Sequence, residues 1–256
     1  MKHGLILRSL GISAVVFILA PIFALLTKVS WSHFFSDLSD LTSIKLSLWT
    51  SLLSTLVSLL LGIPLAWILA KSSGRLANVI RPLVLSPIVL PPTVAGIALI
   101  SLMGRNGVIG RSIYNATGWA APFTSSAVVL SGIFIGLPFV VLMCESNFRQ
   151  LPKEIEDAAI IDRASERQLF AKVALPQSRN AIAASAALAW ARAIGEFGAT
   201  LMFAGSLPGK TQTWPMQIYQ DLDINSRSAY AYSVGMLFIA FAIVFLLRKP
   251  LSEALR

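Results

Sequence analysis

Charged side chains are few in this chain, and cysteine and histidine, two residue types that enzymes often use for catalysis, are nearly missing. Of 256 residues, 13% are charged, one is cysteine and two are histidine. The lone cysteine, Cys144, excludes an internal disulfide and a cysteine metal cluster. The histidines, His3 and His33, form no H-E-x-x-H zinc motif, and no G-x-S-x-G nucleophile motif occurs. The sequence therefore argues against a hydrolase or a metalloenzyme, and we expect no metal site.

Long apolar runs make up most of the chain, in which 55% of residues are hydrophobic. This composition is typical of a membrane protein. The runs predict an all-α membrane protein with one transmembrane domain, residues 1–256, and six transmembrane helices. The predicted spans are about 10–26, 47–70, 83–103, 123–143, 181–204 and 229–247. A secretory signal peptide is the alternative for the first run, but no convincing small-x-small cleavage site precedes Lys28, so we favour a retained span.

Basic residues set the predicted orientation. The net charge is +9, but the basic residues do not cluster with aromatic residues on a soluble face, so we expect no nucleic-acid partner. Fourteen of the 21 Lys and Arg residues lie in segments predicted inside, six lie in segments predicted outside, and Arg192 lies within a span. Because inside loops carry the excess of positive charge, both termini and the central loop are predicted to be cytoplasmic. The protein is expected to be multi-pass in a bacterial inner membrane, in contact with lipid.

The central loop, residues 147–178, is a long polar stretch between two apolar runs. Pro152 suits the first turn of a helix, and acidic residues follow it where the helix dipole favours negative charge. A second short amphipathic helix is predicted from Ala164 to about Val173. Two interpretations stay open on physical grounds alone: the helices dock on a partner, or they lie on lipid headgroups.

The same loop resembles the EAA loop of importer-type ABC permeases. The family pattern is E-A-A, three residues, G, nine residues and I-x-L-P, and every spacing is kept here. This chain departs from it at Asp157, where Glu is usual, and at Arg163, where Gly is usual. The resemblance implies that the loop couples the protein to a cytosolic ATPase. The coupling residues it implies are Glu156, Asp157, Ala158, Ala159, Asp162, Arg163, Ala164, Leu175 and Pro176.

The third predicted span contains helix-breaking residues. Pro91, Pro92, Thr93 and Gly96 fall within it. Irregular backbone is not tolerated against lipid, so this part is predicted to line a cavity or pathway, with a simple proline kink as the alternative. The stretch L-P-P-T-V-A-G also resembles the equivalent place in molybdate- and sulfate-type permeases.

The fifth predicted span carries two ionisable residues. Arg192, Glu196 and Thr200 recur every four residues and are predicted to share one helix face, with Arg192 and Glu196 paired. Charged residues within a membrane span line a pathway or lock a bundle, and both interpretations stay open. The string A-R-A-I-G-E-F-G-A-T-L-M-F-A-G, followed by P-G-K-T-Q-T-W-P-M-Q-I-Y, closely resembles the molybdate permease signature.

Residues 204–211 read A-G-S-L-P-G-K-T, which matches a relaxed P-loop. A working P-loop follows a strand and opens a helix, whereas this segment follows a predicted span on the outer side. We therefore interpret Pro208-Gly209 as a turn and not as part of a nucleotide site.

Together the resemblances imply the permease subunit of a molybdate-type ABC importer with the type I permease fold. They imply a second copy of the chain, two cytosolic ABC ATPases that bind ATP and Mg²⁺, and an external oxyanion-binding protein. The chain itself is expected to be non-catalytic and to bind no cofactor. Sulfate, thiosulfate or tungstate are alternative substrates, and a secondary transporter without an ATPase, or a membrane enzyme using Glu196, are alternative classes.

Overall fold

The regular structure of the described residues is helical throughout, as expected for a chain that must satisfy its backbone hydrogen bonds within lipid. The computed structural model describes residues 2–38, 40–152, 154, 157 and 161–254, and describes helix side chains from residue 6 to residue 245. Short 3₁₀ and π turns occupy Trp31–His33 and Phe170–Ala174. The α-helices are α1 (Lys2–Lys28), α2 (Phe34–Asp37), α3 (Thr42–Lys71), α4 (Arg75–Val89), α5 (Pro92–Met103), α6 (Gly110–Thr117), α7 (Ser125–Arg149), α8 (Glu166–Leu169), α9 (Leu175–Gln177), α10 (Arg179–Ile194), α11 (Gly198–Ala204), α12 (Trp214–Ile224) and α13 (Ser226–Ala254).

Four helices are long and apolar enough to cross a bilayer, and they match four of the six predicted spans. The described parts that qualify are Ile6–Lys28, Thr42–Lys71, Ser125–Arg149 and Ser226–Phe245. Helix α3 starts five residues before the predicted start at 47 and continues past Pro64 to Lys71. A multi-pass membrane protein is therefore confirmed, while the count of six spans stays a prediction.

The predicted third span is two helices and not one kinked helix. Helices α4 and α5 meet at Leu90 and Pro91 and are bent by 118°. Leu90 and Pro91 both have extended backbone, with ψ of 135°, and Pro92 opens α5. A proline at the first turn of a helix loses no hydrogen bond, so the Pro91-Pro92 pair ends one helix and starts the next.

The predicted fifth span is also divided. Helix α10 has 16 residues and α11 has seven, with Gly195, Glu196 and Phe197 between them. At 1.5 Å per residue α10 is about 24 Å long, which is short of the roughly 30 Å hydrocarbon core. The continuous helix predicted over 181–204 is therefore wrong.

The chain divides into two compact units, and the larger one contains residues 42–216 and 241–256. Its centre is formed by α3 and α10 packed on α7, where glycines allow close approach. A Cβ on Gly132 would collide with Ser54 of α3, and a Cβ on Gly136 would lie 3.4 Å from the Ala189 carbonyl of α10. The Gly132-x-x-x-Gly136 pattern thus marks a true helix contact.

The smaller unit contains residues 1–41 and 217–240. The Tyr232 hydroxyl donates to the Asp40 carbonyl at 2.6 Å, and Arg227 lies 3.5 Å from the Asp37 carboxylate. These two contacts attach the start of α13 to the end of the α2 region. The apolar side chains of α1 are mostly exposed, as expected for a helix that faces lipid.

Candidate coupling segment and membrane pathway

The coupling residues implied by the sequence are described only in part. Glu156, Ala158 and Ala159 lie outside the described residues. Asp157 and Asp162 are exposed, so their carboxylates are accessible to a partner. Ala164 and Leu175 are half-buried, and Arg163 and Pro176 are exposed.

Arg163 has a backbone conformation that usually requires glycine. Its φ is +56°, and it is one of two non-glycine residues with positive φ among the described residues. Side chains with a Cβ are strained in this region, by about 1–2 kcal/mol. The family pattern has Gly at this position, so the bend that Gly would allow is kept in this chain although the residue is Arg. The sequence difference therefore changes the side chain presented there and leaves the turn in place.

Residues 165–177, here called the coupling segment, follow that bend. Ser165 and Gln168 form a reciprocal capping box at the start of α8, an arrangement typical of a Ser-x-x-Gln sequence. A π turn and α9 continue the segment almost without interruption into α10. The predicted single helix from Ala164 to Val173 is thus an α-helical turn that widens into a π turn.

One side of the coupling segment is packed on the helix bundle. Ala174 is fully buried, and three larger apolar residues contact the same core cluster. These are Leu169, Phe170 and Leu175. The opposite side exposes Glu166, Arg167 and Lys172. Because apolar burial fixes one side of the segment, the polar side is available for contact with another protein.

Glu196 lies in the break between α10 and α11 and holds both ends of it. Its Oε1 accepts the Ala199 N–H at 2.9 Å, near the start of α11, and its Oε2 lies 3.3 Å from Nη2 of Arg192 on α10. The Glu196 side chain is 3% exposed and the Arg192 side chain 41% exposed. The predicted pair is therefore confirmed, but its two members differ: the carboxylate is buried and binds both helices, whereas the arginine side chain is partly exposed.

Helix α5 and helix α11 approach each other through small residues. A Cβ on Gly198 would lie 2.6 Å from Cβ of Pro92, and a Cβ on Gly96 would lie 2.6 Å from Cβ of Met202. Both spacings are shorter than two carbon atoms allow. The structure thus brings the broken third and fifth predicted spans together at their breaks, next to Glu196.

The remaining predicted pathway residues divide into exposed and buried ones. Pro91, Pro92 and Thr93 are exposed at the start of α5, and Gly96 is buried against α11. Thr200 is 2% exposed and lies in α11. It does not share a continuous helix face with Arg192, because the chain leaves helical geometry at Gly195–Phe197, and that part of the prediction is wrong.

Two polar features of the bundle were missed by the sequence analysis. Helix α3 carries a row of buried hydroxyls at helical spacing: Ser43, Ser47, Thr50, Ser51, Ser54, Thr55 and Ser58. Some of them bind other elements: Ser51 accepts from Trp190 Nε1 at 2.8 Å, and Ser54 donates to the Val129 carbonyl at 2.9 Å. The four-residue spacing of Ser and Thr was the available signal. The second feature is Glu145, a buried carboxylate near the end of α7.

The P-loop-like segment is a turn, as predicted. The backbone N–H groups of Lys210, Thr211 and Gln212 all donate to the Leu207 carbonyl, at 3.0, 2.9 and 3.0 Å. Gly209 has φ +74° and allows the chain to reverse. In a phosphate-binding loop such N–H groups point outward to the ligand, so this geometry does not suit a nucleotide.

Comparison with known proteins assigns the family. The model of the family described as "binding-protein-dependent transport system inner membrane component" matches residues 62–249, which include the coupling segment and both helix breaks. The chain belongs to this family. It is accordingly an inner-membrane component of a transport system, and this permease is similar in sequence to several known transport permeases.

The relatives are similar over most of their length. The molybdenum transport system permease protein ModB of Mycobacterium tuberculosis is 39% identical over 237 residues, covering 91% of this chain and 89% of the relative. The probable transport system permease protein NifC of Clostridium pasteurianum is 33% identical, covering 95% and 87%. ModB of Escherichia coli K12 is 32% identical over 205 residues, covering 80% and 90%.

Solved structures share the fold. A chain of a bacterial alginate ABC transporter, in complex with its alginate-bound periplasmic protein, matches with a TM-score of 0.75 at 17% identity, covering 96% of this permease and 93% of that chain. A chain of the MetNI methionine ABC transporter, in an inward-facing conformation, matches with a TM-score of 0.62 at 16% identity, covering 84% and 95%. The architecture is thus that of ABC-transporter membrane subunits.

Proposed function

We propose that this chain is the permease subunit of an ATP-driven importer and forms the membrane pathway for an oxyanion. Molybdate is the proposed substrate, and sulfate, thiosulfate and tungstate are the alternatives. The observation that carries the proposal is 39% identity over nine-tenths of the chain to a relative named as a molybdenum transport permease. Further relatives with that name, at 32% identity, support the same substrate. We also propose six membrane crossings with both termini cytoplasmic, the divided α4–α5 and α10–α11 pairs each counting as one crossing.

The proposed assembly contains two copies of this chain, two cytosolic ABC ATPases and an external oxyanion-binding protein. The family description, which names a binding-protein-dependent system, supports the last of these partners. ATP and Mg²⁺ would be bound by the ATPases, and this chain would be a non-catalytic subunit that binds no cofactor. The closed turn at Leu207, which uses its N–H groups internally, is in line with that division of labour.

The coupling segment is proposed to receive the movement of the ATPase. The proposed coupling residues are the exposed Asp157, Asp162, Arg163 and Pro176, the half-buried Ala164 and Leu175, and Glu156, Ala158 and Ala159, which lie outside the described residues. Because the segment continues into α10, a displacement of α8 and α9 would be carried along about 24 Å of helix to the break at Gly195–Phe197. Alternating access would then follow from rocking of the helices on either side of that break.

Arg192 and Glu196 are proposed to have separate roles in the pathway. Glu196 is buried and caps α11, so it would keep the break in one geometry. Arg192 is 41% exposed and would supply a positive charge near the passing anion. Pro91, Pro92, Thr93, Gly96 and Thr200 would form the adjoining wall, where α5 meets α11. A single paired guanidinium is a weak anion site, which leaves specificity to the binding protein.

The experiment is uptake into proteoliposomes that contain the permease with a candidate ABC ATPase and a candidate oxyanion-binding protein from the same organism. We expect molybdate to accumulate inside only when ATP, ATPase and binding protein are all present, with molybdenum measured by mass spectrometry. Competition with sulfate and with tungstate ranks the substrates. Uptake that persists without the ATPase would identify a secondary transporter, and no uptake of any oxyanion would overturn the proposal.

A further inference from the structure

A buried carboxylate lies where α7 ends, beside the coupling segment. The Glu145 side chain is 11% exposed, and the sequence analysis assigned it no role. An isolated carboxylate in such a place is strongly unfavourable, so its partners must compensate the charge. The identity of those partners shows which helices Glu145 holds.

Two guanidinium groups bind the Glu145 carboxylate and also bind backbone carbonyl groups. Arg81 of α4 donates from Nε to Glu145 Oε1 at 2.6 Å, and Arg149 of α7 donates from Nη2 to the same atom at 2.9 Å. Arg81 Nη2 also donates to the carbonyls of Leu69 and Ser72, at 2.7 and 2.6 Å. Arg149 Nη2 donates to the Leu69 carbonyl at 3.1 Å.

These bonds join three helices. The Leu69 carbonyl belongs to the last turn of α3, where carbonyl groups have no partner within the helix and attract positive charge. One carboxylate and two arginines therefore connect the end of α3, the first half of α4 and the end of α7. The contacts are directional, so these three helix segments cannot slide past one another without leaving a charge unpaired.

The same helix ends hold the coupling segment through an aromatic cluster. Trp67, two residues before Leu69, packs edge-on against Phe148, three residues after Glu145, with ring centroids 5.4 Å apart. Phe170 of the coupling segment lies 5.5 Å from the Trp67 ring and 6.3 Å from the Phe148 ring. The point at which the coupling segment inserts is thus the point that the Glu145 cluster makes rigid.

We infer that Glu145 is a positioning residue for coupling, and that its cluster makes the end of α3, the first half of α4 and the end of α7 move as one body with Phe170. The inference rests on the proposed function, because it assigns the residues that pass movement from the coupling segment to the bundle. An apolar core of the same shape would hold the helices together equally well, but it would allow sliding. The ionic cluster fixes their register, so displacement of Phe170 reaches all three helices.

The test is Glu145→Gln in the complete transporter, reconstituted with its ATPase and binding protein. The variant keeps the shape of the side chain and removes its charge. We expect the ATP hydrolysed per molybdate transported to rise about tenfold, as a coupling energy of ordinary size would give, while assembly and the rate of ATP hydrolysis stay near wild type. Glu145→Asp should recover part of the coupling. Asp223→Asn, a carboxylate-to-amide change at an exposed position of α12, is the matched control.

Three results would overturn the inference. One is a wild-type ratio of ATP to molybdate in Glu145→Gln, and another is a parallel fall of hydrolysis and uptake in the assembled complex, which a purely structural role produces. If Glu145→Gln does not assemble, Arg81→Lys is the test variant, because lysine keeps the charge but cannot bridge Glu145 to the Leu69 and Ser72 carbonyls. The third contradicting result is an unchanged ratio of ATP to molybdate in Arg81→Lys. A wild-type complex that transports no oxyanion would instead contradict the proposed function.

Discussion

Gly96 of α5 and Ala199 of α11 lie so close that a Cβ on Gly96 would be 2.9 Å from the Ala199 carbonyl oxygen. The same Cβ on Gly96 would be only 2.6 Å from Cβ of Met202. These spacings are below van der Waals contact, and one of the two neighbours is backbone. We therefore expect Gly96→Ala to push the helices apart and to reduce stability by about 1–3 kcal/mol, measured by thermal unfolding of the purified permease in detergent.

Gly11→Ala is the matched control for this change. Gly11 is also a helical glycine, and a Cβ there has no atom within 4 Å. We expect the melting temperature of Gly11→Ala to equal or exceed that of the wild type, because alanine favours the helical conformation more than glycine does. Equal melting temperatures for Gly96→Ala and the wild type would show that α5 and α11 can separate freely. Close packing of these helices would then no longer be part of the proposed pathway wall.

The features of this site that the sequence predicts are those caused by residues that act on the local backbone. Pro91-Pro92 marked the α4–α5 break correctly, because proline acts on the backbone locally. The α10–α11 break was missed, since Gly195 and Gly198 permit a break without requiring one. The deciding interaction is tertiary: Gly198 must accommodate Pro92, which is distant in sequence.

Charge clusters show the same limit. Arg192 and Glu196 are four residues apart, so their pairing was predictable from helix geometry and is confirmed at 3.3 Å. Glu145 and Arg81 are 64 residues apart, and nothing in the local pattern joins them. The basic residues near helix ends were interpreted as orientation signals, whereas Arg81 is an internal partner of α3 and α7.

The unequal exposure of Arg192 and Glu196 leads to a prediction from a double-mutant cycle. Arg192→Ala leaves the buried carboxylate without its charged partner, so it should lower stability by about 1 kcal/mol, the amount expected for a partly solvated pair. Adding Glu196→Gln should restore that stability, since glutamine is neutral and its carbonyl can still accept the Ala199 N–H. Thermal unfolding of the four proteins measures the cycle.

Uptake by the same four proteins separates the two interpretations of the pair. If Arg192 attracts the anion, the stable double variant still transports poorly. Recovery of wild-type uptake in the double variant would mean that the pair only locks the break, and Arg192 would be removed from the pathway.

The left-handed backbone of Arg163 predicts a stabilising substitution. Arg163→Gly removes the strain of a Cβ at φ +56°, partly offset by the greater freedom of glycine in the unfolded chain. We expect a gain of up to about 1 kcal/mol, seen as a rise in melting temperature of a few degrees. Arg163→Ala keeps the strain and loses only the side chain, so it should not show this gain. A lower melting temperature for Arg163→Gly than for Arg163→Ala would mean that the bend is held by the arginine side chain.

The isolated permease is expected to bind molybdate weakly. Arg192 is only partly exposed and already paired, so it cannot replace the hydration of an anion by itself. We expect a Kd above about 1 µM, equivalent to a binding free energy smaller than about 8 kcal/mol. Calorimetric titration of the purified permease measures it, with Arg192→Gln as the control. Submicromolar binding that Arg192→Gln abolishes would move specificity from the binding protein to the membrane pathway.

The orientation of the coupling segment can be measured by cysteine labelling, because the native Cys144 is fully buried and should not react. Ser73, Gln177 and Ser112 are exposed positions, the first two on the side predicted to be cytoplasmic and the third on the outer side. With a membrane-impermeant maleimide, we expect Ser112→Cys to react in cells whose inner membrane is intact. Ser73→Cys and Gln177→Cys should react only after that membrane is permeabilised. Labelling of Gln177→Cys in intact cells would place the coupling segment on the wrong side for an ATPase, and the whole proposed mechanism would fail.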